Sequence, residues 1–366
     1  MTRVLEIISD TNIGGAGSVL LSFLRFYDSS SFEIAVALPK GSDLQDRPEL
    51  EGIKVFVLEN LRDKSFDVKA IRELRQLIRE YKPDVVHTHG AFSGRIAARR
   101  AGVPAVFTKH SAFAPSSKLT RFPGKQLFTF VTLRYAKRII AVAPVCAEGL
   151  ITCGVPKERI DVILNGAPAL KIPENRESLR AAYCPEDTFL AGIVARVELY
   201  KGQDVVIRAA RILKSRGRDF VILLAGTGSY LDEAKQLAAE LEVLDCVKFL
   251  GFVADVATLM GALDVQINAS RVEACSMSLI EGMSLGLPAV ASDAGGNPLL
   301  IKDGGNGLLF RDENAEELAE KLEQLMDSKE LRGRISKTAL RIYNSNYTGE
   351  RTARETEAVY RKCLIK

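Results

Sequence analysis

The sequence predicts an α/β protein of two doubly wound, Rossmann-like domains, each a parallel sheet with helices on both faces. Three observations predict it. Short β-branched runs alternate with helical patterns along the whole chain, the mark of parallel strands joined by crossover helices. That alternation breaks once, where turn residues and prolines cluster in Asn165-Gly166-Ala167-Pro168 and Pro173-Glu174-Asn175, and then begins again. The chain has 366 residues, and single cores stop growing beyond roughly 250–300 residues.

In the first half the expected strands are residues 4–8, 33–38, 54–58, 85–88, 105–108 and 138–142, with helices at 18–26, 69–81 and 94–101. The second half offers strands at 189–194, 220–225, 248–250, 265–267 and 289–291, and helices at 204–215, 230–241, 277–284 and 315–328. The domains are therefore set at 1–168 and 172–348, with a linker at about 166–176. The last segment, 349–366, is long enough to cross back onto the first domain. Two such domains in series are expected to face each other across a cleft, because open α/β sheets bind ligands at their carboxyl edges.

Hydrophobic residues make up 47% and charged residues 26%, an ordinary globular composition without repeats. Six cysteines, without C-x-x-C pairs, fit buried reduced thiols rather than a disulfide framework. Glu6 interrupts the first apolar run, no cleavage-site pattern follows, and no segment is long enough to span a bilayer, so a cytoplasmic protein is expected. Net charge is +4, but residues 1–168 hold 24 Lys and Arg against 17 Asp and Glu. From Val85 to Ala147 there are ten basic residues and no acidic one, which favours anionic partners. Nucleic acid is not the expected partner; a lipid surface or a phosphorylated acceptor suits the same charge.

Three segments point to a phosphate-bearing ligand. After the first strand, Asn12-Ile13-Gly14-Gly15-Ala16-Gly17-Ser18 lets the backbone approach a ligand and offers helix N–H groups to an anion, with a plain β–α turn as the alternative. It is not the G-x-G-x-x-G fingerprint, which disfavours a nicotinamide enzyme. After the first strand of the second half, Arg196 and Lys201 can converge on a diphosphate, unless both are solvated surface charges. Glu273 and Glu281, eight apart, cannot share a face of one continuous helix. They make sense with Glu273 in a loop and Glu281 inside a helix that starts near Met277-Ser278 and presents its amides to phosphate. The Glu281 carboxylate is then free to accept both hydroxyls of a ribose.

The order of the Gly-Gly loop, the Arg196-x4-Lys201-Gly202 loop, Gly226-Thr227-Gly228, Gly251-Phe252-Val253, the Glu273-x7-Glu281 segment and Gly295-Gly296-Asn297 resembles the GT-B retaining glycosyltransferases of family four. Asn165-Gly166 after Ile163-Leu164 matches that family's domain-closing stretch, and the resemblance runs from Gly14 to about Leu309. It implies a GT-B fold and a nucleotide diphosphate sugar, UDP- or GDP-linked, as donor substrate. It also implies no cofactor and no metal. Gly15, Ala16, Gly17, Gly226, Met277, Ser278 and Leu279 would line the donor, and Val253 would lie by the base. Arg196 and Lys201 would hold the diphosphate, Glu281 the ribose and Glu273 the transferred sugar. One departure stands out: Ala274-Cys275-Ser276 follows Glu273 where the family commonly has Gly-Phe-Gly, which alters the wall of the sugar pocket.

All three histidines fall at 87, 89 and 110. His87 and His89 are expected on opposite faces of a strand, with no Cys cluster or Asp-x-Asp to complete a metal site, so His87 reads as packing. His110, at a strand's carboxyl end, is placed by the resemblance against the donor sugar and the acceptor. Arg196, Lys201, Glu273 and His110 form the expected catalytic set, with the leaving diphosphate neutralised by cations and helix N-termini. The implied mechanism is front-face attack with retention.

The segment from Ala112 to Phe130 mixes aromatics with Lys118, Arg121 and Lys125, which suits a glycan or lipid-linked acceptor and a peripheral contact with an anionic membrane. A solvated loop running into a core helix is the other reading. The expected role is cell-envelope polysaccharide or glycolipid synthesis. The alternatives are a GT-B nucleotide-sugar epimerase, a phosphorylase, or a two-lobed sugar-binding protein.

Overall fold

A computed structural model describes residues 1–62, 66–171 and 176–365. The chain divides into two compact units: Met1–Ala167 with Gly349–Lys366, and Pro168–Thr348. Of the expected linker, residues 172–175 lie outside the described residues.

The first unit is built on β1 (Thr2–Ile8), β2 (Phe32–Pro39), β3 (Lys54–Leu58), β4 (Val85–His89), β5 (Ala105–Lys109), β6 (Arg138–Ala141) and β7 (Ile160–Val162), ordered β3-β2-β1-β4-β5-β6-β7. All neighbours are parallel. Central strands of such a sheet are covered on both faces, and every residue of β1 from Val4 to Ile8 is buried. β7 was not expected. It is a three-residue edge strand, Ile160-Asp161-Val162, with no apolar run for a pattern to catch.

The helix Gly15–Phe26 starts three residues before the expected position, so its glycines form the first turn rather than a loop. Leu20, Phe23 and Leu24 face the core, where they meet the helix Gly349–Leu364. Phe23 and Tyr360 pack edge to face at 5.9 Å. The returning helix is also tied by polar bonds. Thr352 Oγ1 donates to the Leu164 carbonyl at 3.0 Å, Gly349 N–H to that of Ala167 at 3.0 Å, and Asp28 N–H to Glu357 at 2.7 Å. Only glycine fits at 349, because a Cβ there would collide with the Phe26 ring.

The second unit contains β8 (Phe189–Val194), β9 (Phe220–Ala225), β10 (Val247–Gly251), β11 (Val265–Asn268), β12 (Ala289–Ser292) and β13 (Leu308–Phe310), ordered β10-β9-β8-β11-β12-β13, again all parallel. β13 is the second unexpected strand, and it too is three residues long at an edge. One face of this sheet is covered by the helices Gln203–Ser215 and Ala315–Asp327 through Val206, Ala209, Leu318 and Leu322. The other face is covered by Leu259, Met260 and Leu263. Two sheets of seven and six parallel strands with flanking helices make the chain a two-unit α/β protein, as the sequence predicts. All six cysteines are buried and none forms a disulfide. Among the described residues no helix is long and apolar enough to cross a membrane.

Candidate active site

In each unit the strand order reverses beside its first strand, between β1 and β4 and between β8 and β11. Loops leaving the two strands at such a point diverge and open a crevice at the carboxyl edge. Some of the expected site residues lie on loops at these two points, while His110, Gly226 and Val253 follow the neighbouring strands β5, β9 and β10.

In the second unit the loop after β8 carries Arg196 and Lys201, and the loop after β11 carries Glu273. Lys201, expected on a diphosphate, and Glu273, expected on a sugar, are joined. Lys201 Nζ donates to Glu273 Oε2 at 2.7 Å, with the side chains 17% and 13% exposed. The Ser270 hydroxyl donates to the same oxygen at 3.2 Å. Arg196 is the exposed cation of the pair and donates to the Tyr200 hydroxyl at 2.7 Å. The turn after β12 props the Glu273 backbone: Gly296 N–H donates to its carbonyl at 2.8 Å, and a Cβ on Gly295 or Gly296 would strike the 273–274 backbone. Gly226 has a similar duty, since a Cβ there would collide with the Ala195 carbonyl beneath Arg196. Packing therefore requires glycine at this position, which the family resemblance places along the donor.

The helix Met277–Ser284 is capped by Ser276, whose hydroxyl accepts from Leu279 N–H at 3.4 Å and from the Asn268 amide at 3.0 Å. The Leu279 amide, expected to meet a phosphate, is therefore engaged by the cap. The amides of Met277 and Ser278 precede the helix's own hydrogen bonds and carry its positive end. One turn on, the Glu281 carboxyl has no hydrogen-bond or ion-pair partner among the described residues. Burial pushes its pKa up to about 7. Val253 packs by its side chain into the core while its neighbour Phe252 is exposed.

In the first unit the amides of Gly15, Ala16 and Gly17 form the opening turn of their helix. A Cβ on Gly14 or Gly15 would meet nothing within 4 Å, so no packing demand explains those glycines, whereas Gly17 is buried against Leu44 and Ile13.

The histidines correct the sequence expectation. Strand side chains alternate, so residues two apart share a face, and the His87 and His89 rings lie 4.5 Å apart. Both reach Glu6 on the adjacent β1, at 3.0 Å from His87 Nδ1 and 3.0 Å from His89 Nε2 to Glu6 Oε2. Tyr360 donates its hydroxyl to Glu6 Oε1 at 2.5 Å and lies 2.7 Å from His87 Nδ1. Thr108 Oγ1 meets His87 Nε2 at 2.6 Å, and His110 Nε2 lies 2.8 Å from His89 Nδ1. Burial alone would raise the Glu6 pKa. The His87 ring and the hydrogen bonds from His87 and His89 outweigh it and hold the carboxyl well below its ordinary range. Burial, reinforced by neighbouring imidazoles, lowers the pKa of His89 and that of His110 further still.

Glu6, His87 and His89 are a donor set that a metal could use. Each of those donor atoms already has a protein partner, and the adjoining cavity, about 20 Å³, has room for roughly one water.

Residues 13–169 match the model of Glycosyltransferase Family 4, and residues 175–341 match that of Glycosyl transferases group 1. The D-inositol 3-phosphate glycosyltransferase of Nocardia farcinica is 30% identical over 329 residues, 82% of this chain and 68% of that protein. The chain belongs to the family-four GT-B glycosyltransferases. The Escherichia coli UDP-Gal:alpha-D-GlcNAc-diphosphoundecaprenol alpha-1,3-galactosyltransferase is 26% identical over 342 residues, 87% of this chain and 86% of the relative. Among solved structures, that of Anabaena Alr3699/HepE in complex with UDP and glucose superposes with a TM-score of 0.85 at 23% identity, covering 98% and 99% of the two chains.

In this glycosyltransferase the 112–130 segment is surface rather than core. Phe122 is 81% exposed, and on the helix Gly124–Tyr135 Leu127 and Phe130 are 64% and 65% exposed, beside Lys118, Arg121 and Lys125. Arg95, one of the ten cations of the basic stretch, instead stacks on Phe92 and Phe107 at 4.8 and 4.1 Å, where burial lowers its pKa to about 10. The member of the histidine cluster that sequence reasoning missed is Glu6. Its signal was a carboxylate inside an otherwise apolar central strand, which a buried position tolerates only with partners.

Proposed function

We propose that this glycosyltransferase transfers a hexose from a nucleotide diphosphate donor to a glycan or lipid-linked acceptor of the cell envelope, with retention and without a metal. The observation that carries the reading is Glu281, a partly buried carboxyl with no partner among the described residues, one turn into a helix whose free amides suit a phosphate. A ribose diol supplies the two O–H donors that this carboxyl lacks. Arg196 and the Met277 and Ser278 amides then neutralise the diphosphate as it leaves, and Glu273, steadied by Lys201, addresses the sugar. The second unit is the donor side. The first contributes His110, with the basic, aromatic 112–130 surface as the acceptor side and as the contact with an anionic membrane. UDP is the favoured nucleotide, since the Escherichia coli relative is named for UDP-Gal and the Anabaena protein was solved with UDP.

Calorimetry with UDP and GDP, on wild type and Glu281→Ala, tests the donor reading. UDP should bind wild type, and the variant should lose about 1.5–3 kcal/mol. Equal affinity in both proteins removes Glu281 from the site. Turnover should persist in chelator, and the anomeric configuration of the product decides retention.

A further inference from the structure

The buried cluster beneath His110 has no assigned task. It lies at the reversal between β1 and β4, where register sets Glu6 beside His87 and Ile8 beside His89. A carboxylate only accepts, so the His89 Nε2, 3.0 Å from Glu6, carries its ring hydrogen. His89 Nδ1 is then a bare acceptor. His110 Nε2, 2.8 Å away, must donate to it. One nitrogen of the chain remains, His110 Nδ1, without a partner among the described residues. His87 and His89 are buried whereas His110 is partly exposed, so of the three histidines it is the one that can meet a ligand.

We propose that Glu6 and His89 are positioning residues that lock His110 in its Nε2–H tautomer, so that a bare Nδ1 accepts a hydrogen bond from a sugar or acceptor hydroxyl. The inference rests on the reading that His110 serves turnover. Glu6 anchors His89, and His89 dictates the hydrogen on His110, just as the partner of one imidazole nitrogen sets the role of the other. Tyr360 and His87 hold the carboxylate from its other side. No proton has to travel; the chain fixes which lone pair His110 offers.

The protein has only three histidines, so ¹⁵N-histidine labelling of the full chain gives six ring-nitrogen signals. In wild type at neutral pH, His89 and His110 should each show a protonated Nε2 and a bare Nδ1. Glu6→Gln should mix the His110 tautomers and lower kcat about tenfold or more, with UDP affinity changed less than about twofold. His89→Asn, which keeps an acceptor where Nδ1 stood, should retain more turnover than His89→Leu. A wild-type His110 protonated on Nδ1 overturns the proposal without any variant having to fold. So does a Glu6→Gln protein with unchanged tautomers, or with unchanged turnover while His110→Ala is impaired. Normal turnover in His110→Ala removes the reading beneath it, and the relay's task with it.

Discussion

Lys201 and Glu273 form a 2.7 Å ion pair, so a cation expected to serve the leaving phosphate is shared with a carboxylate expected to serve the sugar. Coupled residues should not act additively. In a double-mutant cycle with Lys201→Ala and Glu273→Ala, kcat/KM should show a coupling of about 0.5–3 kcal/mol. Glu273→Gln should leave UDP binding intact or tighter, because Lys201 is released toward phosphate, while turnover falls. Strict additivity would mean that the pair has no bearing on catalysis.

Glu281 gives a pH signature. Its pKa stands near 7 in the folded protein against an ordinary 4.5. A ribose diol binds the ionised form, so below about pH 7 UDP affinity should weaken by up to tenfold per unit, with proton release detectable by calorimetry in buffers of different ionisation enthalpy. A flat profile from pH 5.5 to 8 would exclude Glu281 from binding.

The same residue strains the fold. Between pH 4.5 and 7 the folded state holds a proton that the unfolded state has lost, so stability drops as pH rises through that window. Glu281→Gln should therefore stabilise the unliganded protein at pH 8, by on the order of 1–3 kcal/mol. At pH 5 the effect should be much smaller. An equal effect at both values would point to packing instead.

Tyr360 and Gly349 dock the last helix on the first unit. Tyr360→Phe removes a hydroxyl that donates to a buried carboxylate and should cost about 1–3 kcal/mol by urea unfolding. Gly349→Val, which drives a side chain into Phe26, should be at least as damaging. Unchanged unfolding midpoints would show that this helix is not needed for the first unit's core.

The exposed Phe122, Leu127 and Phe130 beside three cations predict adhesion to anionic vesicles. Replacing Lys118, Arg121 and Lys125 by Ser should weaken co-sedimentation at low salt, at about 1 kcal/mol per charge, and leave UDP binding unaltered. Equal sedimentation of both proteins would favour a soluble acceptor.

Eleven of the thirteen strands were readable from the sequence as short β-branched runs between helical patterns; β7 and β13, three residues each at sheet edges, left no period to detect. The second unit's site was legible because its motifs are contiguous: Arg196 with Lys201, and Glu273 with Glu281. Lys201 and Glu273 stand 72 positions apart in sequence, a pairing that no local pattern encodes. The histidine cluster failed for a different reason. Its anchor, Glu6, lies 81 residues before His87, and Tyr360 lies 273 after it, so the network exists only once β1, β4 and the last helix have met.

That meeting has a consequence for how the protein is made. The first unit is closed by Gly349–Leu364, yet residues 168–348 leave the ribosome in between. At roughly 5–20 residues per second this interval lasts on the order of 10–40 s. Throughout it Phe23 and Phe32 lack the ring of Tyr360, and Glu6 lacks one of its donors. The nascent first unit therefore waits with an open apolar seam while the second, whose strands are contiguous in the chain, can finish. The half of the chain made first is the half that matures last.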